Sequence, residues 1–287
     1  MRAPIRAFRF SLALLLSALA CMPAYAAWDF IPTGLEWASW PEYCRVQYSW
    51  VNAGFEFQYG GRYPNDTVDL WRRTVGDNTF TGMHHWCASL HFLNRARSEP
   101  EPKMRNFELN RASEDAMFSF LRADPASPVY PDMAVTVAQI REAMGKPDEA
   151  VEVLQRGIDA QPRRAEAYVV LALLDRQQHR LADARDVLKR ADGVTGGKSA
   201  EVQYNLGLIT LEIGDAESAH ANAVTAYSLG YPLPGLKNKL RKVGHWSDAD
   251  DSTVAAAIAA ANAAQANGDR AAVAPAAEAA PPPAVSR

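Results

Sequence analysis

Three segments of the chain repeat one another: AQIREAMGKPDEAVEVLQRG at 138–157, ALLDRQQHRLADARDVLKRA at 172–191 and GLITLEIGDAESAHANAVTA at 207–226. They are offset by 34 and then 35 residues, and the GVTGG sequence at 193–197 accounts for the extra residue. Mostly small residues occupy four matched positions: Ala138/Ala172/Gly207, Gly145/His179/Gly214, Ala150/Ala184/Ala219 and Gly157/Ala191/Ala226. Self-similarity at a fixed period of this length predicts a stack of helical repeats.

Each unit is predicted to be two antiparallel helices joined by a short turn. Small residues are needed where the two helices approach most closely, and Gly145 and Gly214 suit the end of a first helix. Pro147 suits the start of the next helix, and Pro162 ends it. Larger apolar residues are expected to fill the spaces between units: Val137, Leu171, Leu206, Leu154 and Leu188. The predicted fold is therefore an all-α helical-hairpin solenoid.

The repeat resembles the tetratricopeptide repeat (TPR) family. Asn205-Leu206-Gly207 fits the Leu-Gly step of the first helix, and Ala150 and Pro162 fit the second, although Ala134 and Gln203 replace the usual Trp. The predicted organisation is TPR 1 at 131–164, TPR 2 at 165–199, TPR 3 at 200–233, a divergent TPR-like helix pair at 81–130 and a capping helix at 234–246. The resemblance implies a scaffold that binds protein or peptide partners, and no enzyme.

The two ends lack this period. Residues 27–80 are rich in Trp, Gly and Pro, which predicts a loop-rich cap lying across the first helices, with helical turns near Trp40–Gln47 and Leu70–Arg73. Residues 247–287 are rich in Ala and Pro and are predicted to be largely disordered, apart from a lone helix over Thr253–Asn267. The head and its HHWC sequence at 84–87 resemble envelope TPR proteins of proteobacteria.

Residues 1–26 have the form of a secretory signal peptide: a basic start, an apolar run at 10–20 and Ala24-Tyr25-Ala26 before the cut. We expect cleavage after Ala26 and a periplasmic or secreted chain; lipidation of Cys21 is the alternative. No later stretch predicts a membrane span. The formal net charge of −3 would become about −6 without Arg2, Arg6 and Arg9, which disfavours a nucleic-acid partner.

Two cysteines remain in an exported chain, Cys44 and Cys87, and a disulfide between them is expected. The alternative is a metal or haem site, because His84, Cys87 and His91 share one stripe of a helix and Cys44 could complete a zinc tetrahedron. No CxxCH motif, phosphate-binding loop, G-x-S-x-G or H-E-x-x-H is present. We therefore expect neither catalytic residues nor a cofactor.

The resemblance to the TPR family implies a binding groove on the concave face built by the first helices, and the repeat phase indicates which residues should line it. Its residues are expected to be Val135, Gln139, Glu142, Glu166, Val169, Leu173, Arg176, Tyr204, Leu208 and Glu212, together with Asp132. An apolar strip edged by carboxylates suits a protein segment that carries Lys or Arg beside its hydrophobic side chains. The partner is expected to be a cell-envelope protein or peptide. A further alternative is that the Trp-rich head binds glycans.

Overall fold

The computed structural model describes residues 31–273, and within them every regular element is helical. The predicted all-α solenoid is confirmed. The signal peptide with its Ala26 cleavage site, the alternative lipid anchor at Cys21 and the last residues of the tail, 274–287, lie outside the described residues. No helix in the described range combines the length and apolar character needed to cross a bilayer.

The core of the chain is a series of helical hairpins in which first and second helices alternate. The first helices are α4 (Asp77–Ser98), α6 (Tyr130–Ala143), α8 (Glu166–Gln177) and α10 (Ala200–Ile213); the second helices are α5 (Pro102–Arg122), α7 (Pro147–Ala160), α9 (Leu181–Thr195) and α11 (Ala216–Ser228). Each first helix packs on its own second helix, and each second helix packs on the next first helix. This is the stacking that the 34-residue period predicts.

The turn inside each of the three regular hairpins requires a left-handed residue at the same repeat position. Gly145, His179 and Gly214 have φ angles of 74°, 60° and 98° there. Glycine adopts this conformation without steric cost. For a residue with a side chain, such as His179, the left-handed conformation is less favourable by on the order of 1–2 kcal/mol. The second repeat therefore keeps the turn geometry although it lacks the glycine.

Close helix contacts explain the other small residues of the period. Ala150, Ala184 and Ala219 are fully buried. A Cβ atom added to Gly157 would lie 2.9 Å from the Cβ of Ala134 on the facing helix, which is too close for two carbon atoms. Gly157 therefore has no room for a side chain, whereas Ala191 and Ala226 occupy the matched position in the other two units and are fully buried.

The divergent first hairpin has only a short connection between its two helices. Helix α5 begins at Pro102, and three residues separate it from the end of α4 at Ser98. The Glu101 side chain caps it by accepting hydrogen bonds from the backbone N–H groups of Lys103 and Met104. Helices α4 and α5 are longer than those of the regular units, which explains why their repeat phase is difficult to recognise.

The head is more helical than the predicted loop-rich cap. It contains α1 (Gly34–Ser39), α2 (Glu42–Trp50), a 3₁₀ helix (Phe55–Tyr59) and α3 (Asn65–Val75). A capping box of Thr33 and Glu36 starts α1. These helices are short and surround an aromatic cluster from several sides, so no single hydrophobic period marks them in the sequence.

The C-terminal end closes the stack with α12 (Gly235–Lys242) and α13 (Asp248–Val273). The sequence predicted a lone helix over Thr253–Asn267 in this segment; α13 is longer and begins at Asp248, before the expected start. Its start is held by Asp251, which accepts hydrogen bonds from Lys237, Arg241 and Trp246. Acidic residues in a first turn are stabilised by the helix dipole, a signal that the alanine-rich composition obscures.

Candidate binding groove

The first helices form the inner face of the solenoid. Helices α6 and α8, and likewise α8 and α10, contact each other directly, and these contacts are more extensive than those between successive second helices. An array packed more closely along one edge curves toward that edge. The groove is therefore lined by α4, α6, α8 and α10, as the repeat phase predicts.

A cavity of about 310 Å³ opens between α4, α6 and α8. Its apolar wall comes from Ala138, Val170, Leu173 and Leu174, and its polar edge comes from Arg97, Gln139, Glu142 and Gln177. The guanidinium of Arg97 donates a hydrogen bond of 2.9 Å to the side-chain oxygen of Gln139. A cavity of this kind, apolar inside and polar at the edge, has the volume to hold one aliphatic side chain of a partner.

The cavity brings together three of the predicted groove residues: Gln139, Glu142 and Leu173. Val135 and Leu208 are partly exposed on neighbouring helices. Val169 and Tyr204 are buried. Because the Tyr204 ring stacks on Tyr231 at 4.0 Å, this side chain belongs to the packing of the C-terminal end.

The charged residues predicted at the groove are mostly engaged within the chain. Arg176 donates to both carboxylate oxygens of Glu212, at 2.8 and 2.5 Å. Arg164 forms a similar pair with Glu166, at 2.8 and 3.2 Å. Arg176 was predicted to line the groove, and its charge is neutralised by Glu212 of the next repeat. The Arg176–Glu212 pair links two adjacent units, the Arg164–Glu166 pair is local, and both leave less charge for a partner.

Sequence reasoning missed Arg97, Val170 and Gln177, which line the cavity beside the predicted residues. Val170 and Gln177 each follow a predicted groove position by one residue, so a small rotation of α8 accounts for them. Arg97 lies at the end of α4 in the divergent hairpin. The position of Arg97 depends on how α4 packs on α6. The repeat is disrupted in this hairpin, so the sequence does not indicate that packing.

The expected disulfide between Cys44 of α2 and Cys87 of α4 is confirmed. Cys87 therefore has no thiolate for the alternative metal or haem site with His84 and His91. His84 Nδ1 lies 3.1 Å from the carbonyl oxygen of Thr81. His91 Nδ1 lies 3.2 Å from Glu36 Oε1. Within residues 31–273 no three His, Cys, Asp or Glu side chains are grouped to hold a metal ion.

The two histidines predict an acid-sensitive head. Burial, with the charge of Arg95, lowers the pKa of His91 to about 4, and burial, with His85, lowers that of His84 to about 4. The unfolded chain therefore binds more protons between about pH 6.5 and 4, and the free energy of unfolding should fall as pH falls through that window. Thermal unfolding at stepped pH measures this.

Replacement of His91 by Gln removes one of these titrating groups. The melting temperature of His91→Gln should therefore depend less on pH between 6.5 and 4 than that of the unchanged protein. An identical pH dependence in both proteins would show that His91 does not contribute to the acid sensitivity.

The tryptophans of the head form a core. Trp37 and Trp40 are buried, with ring centroids 5.7 Å apart, and Trp37 also stacks on Tyr59 at 5.3 Å. Trp50 is 40% exposed, but its ring packs on Phe80 and lies under the guanidinium of Arg72. Because most of the aromatic surface is used in packing, little of it is free to stack on a sugar ring.

The helices and their packing define an all-α helical-repeat solenoid whose first helices line a candidate groove. The solved structures similar to it include a thermophilic TPR protein of Thermus thermophilus, TTC0263, with 17% identity and a TM-score of 0.40, covering 55% of this chain and 90% of that one. A structure described as MamA MSR-1 C2 has 16% identity and a TM-score of 0.38, covering 64% and 91%.

A further structure of a MamA protein has 19% identity and a TM-score of 0.34, covering 59% of this chain and 91% of that one. No protein-family model matches the sequence, and no curated protein is significantly similar to it. The helical-repeat architecture of this chain rests on its own helices and their packing, and likenesses of this strength carry no argument about its partner.

Proposed function

We propose that the protein is a non-enzymatic, TPR-type scaffold of the cell envelope that binds a protein or peptide partner in the groove of its first helices. The observation that carries the proposal is the cavity around Leu173, which has an apolar wall and a hydrogen-bonding edge from three helices. Side chains of a partner are bound by pockets of this kind, in which aliphatic contacts supply most of the affinity and polar groups fix the orientation.

The envelope location is supported by the predicted signal peptide and by the disulfide. Structural disulfides form in oxidising compartments such as the periplasm and are rare in the cytosol. The Cys44–Cys87 bridge joins the head to the first hairpin, and both cysteines are fully buried. A chain exported before folding would form this bridge as the head packs.

Substitution of Leu173 by Asp tests the groove. It places a charge against the apolar wall, and partner binding should fall at least about tenfold, since an unpaired carboxylate there loses its hydration. The measurement is photo-crosslinking in intact cells from a photoreactive residue placed at position 139, comparing the unchanged groove with Leu173→Asp.

Leu121→Asp is the matched control, because Leu121 is 57% exposed on α5, outside the groove. It should leave crosslinking unchanged, and both variants should keep their helix content by circular dichroism. A crosslink from position 139 that survives Leu173→Asp would show that the Leu173 cavity does not carry the binding.

A further inference from the structure

The first helices share a second feature, a row of carboxylates in their first turns. Asp132 of α6, Glu166 of α8 and Glu201 of α10 are spaced by 34 and 35 residues, the period of the repeat itself. An acidic residue in a first turn ordinarily stabilises its own helix through the dipole. Here the repeat also sets the three carboxylates side by side across adjacent helices.

The members of this carboxylate row influence one another. Burial raises the pKa of Asp132; the charge of Arg164 opposes that rise and the charge of Glu166 adds to it. Loss of hydration raises the pKa of Glu201, and the charge of Glu166 raises it further. A positive charge nearby would lower the pKa values of these carboxylates again. A cation bound along the row would therefore be stabilised by more than one carboxylate.

Two carboxylates of the row are available to a partner. Glu166 is paired with Arg164, but among the described residues no Lys, Arg or His lies within ion-pair distance of Asp132 or Glu201. The other groove arginines are also committed, Arg176 to Glu212 and Arg97 to Gln139. The N-terminal side of the groove therefore has a local excess of negative charge.

The carboxylate row and the Leu173 cavity lie on opposite sides of the groove. Asp132 and Gln139, like Glu166 and Leu173, are seven residues apart on their helices, which is about 10 Å along the helix axis. An α-helix with its side chains is about 10–12 Å in diameter. A helix lying across α6, α8 and α10 can therefore reach the cavity with one face and the carboxylate row with the other.

We propose, on the basis of the function proposed above, that the groove binds an amphipathic helix of a partner protein, which places an aliphatic side chain in the Leu173 cavity and Lys or Arg side chains along Asp132 and Glu201. The aliphatic contact carries the affinity, and the paired charges set the orientation and the rate of association. A partner helix with an acidic face meets unpaired carboxylates and is rejected.

Two synthetic helices of about five turns test this charge preference. Both carry the same leucine face, and the opposite face is lysine in one and glutamate in the other. Fluorescence anisotropy with the full mature chain should show the lysine helix binding at least about tenfold more tightly at low salt, with the difference shrinking at about 0.5 M salt. Equal binding of the two helices, or tighter binding of the glutamate helix, would overturn the proposal.

The double variant Asp132→Asn/Glu201→Gln should weaken binding of the lysine helix about fivefold or more and make it less dependent on salt. The matched control is Glu152→Gln/Asp159→Asn, which removes the same charge from exposed positions on α7. The control should bind as the unchanged protein does. Equal losses in both double variants would mean that net charge alone attracts the peptide, and the proposal would be wrong.

The outcomes also separate this inference from the proposed function. If the glutamate helix binds as well as the lysine helix and Leu173→Asp abolishes both, the groove binds helices without the charge preference. If neither helix binds but position 139 still crosslinks to a partner, the scaffold function stands and the helical partner is wrong. If neither helix binds and no crosslink forms, both are wrong.

Discussion

Loss of the Cys44–Cys87 disulfide is expected to lower the free energy of unfolding by about 4 kcal/mol. The two cysteines are 43 residues apart in sequence, and in the chain-entropy model a cross-link closing a loop of that length restricts the unfolded chain by about this amount. Urea unfolding of the mature chain, with and without reductant, measures the difference. Thiol counting on the unreduced protein should find no free thiol.

The variant Cys44→Ala/Cys87→Ala is the control for the reductant. It should unfold at the lowered urea concentration and should not respond to reductant. If the unchanged protein unfolds at the same urea concentration with and without reductant, the bridge does not stabilise the fold. Retention of helix content at low urea would show that α6 to α11 fold without it.

Substitution of Trp86 by Ala is expected to lower the free energy of unfolding by about 3–5 kcal/mol, as for other buried aromatic residues. Trp86 lies on α4 at the junction of three parts of the molecule. Its ring stacks on Tyr43 of α2 at 5.5 Å, and its indole N–H donates to the hydroxyl of Thr136 on α6 at 3.0 Å. The substitution opens a cavity between the head and the first regular repeat.

Trp50→Ala removes the same side chain from a site that is 40% exposed. It should lower the free energy of unfolding by roughly a third of the Trp86→Ala effect or less. Trp86→Phe keeps much of the ring but loses the hydrogen bond to Thr136. Its loss in free energy of unfolding should therefore lie between those of Trp86→Ala and Trp50→Ala. Chemical denaturation of the three variants gives the comparison. Equal effects of Trp86→Ala and Trp50→Ala would mean that the junction does not hold the head on the solenoid.

Much of the solenoid could be predicted because its period depends on steric contacts. Two helices meet at Ala150, Ala184 and Ala219, and only a small residue fits such a contact. The recurrence of alanine at these positions can be recognised in a single sequence. The turn position was predictable for Gly145 and Gly214. At His179 only the repeat phase indicates the left-handed turn, since the residue itself does not favour it.

The groove could be predicted only as a set of positions. The repeat phase assigned Gln139, Glu142 and Leu173 to one face, and they line the cavity together. It could not predict that Arg176 and Glu212 pair across two units, because the sequence does not indicate which side chains reach each other. The same limit applies to Arg97 and to the burial of Tyr204 against Tyr231.

The head illustrates a different limit. Helices of six to eleven residues, such as α1 and α3, have few turns in which a hydrophobic period can be recognised. Their positions are set by contacts with distant residues, as in the hydrogen bond from the Tyr48 hydroxyl to the backbone carbonyl of His84. The disulfide was predictable because compartment and cysteine number define it independently of the fold.

The carboxylate of Asp251 has a consequence for assembly. By holding Lys237, Arg241 and Trp246, it fixes α12 and the start of α13 over the last hairpin, where Leu236 and Leu240 are fully buried. A solenoid with a bare final hairpin presents the same apolar surface that its internal units use for stacking. Head-to-tail contacts through such a surface do not close on themselves and extend into fibres. We therefore expect the three hydrogen bonds to Asp251 to limit polymerisation as well, by keeping this surface covered.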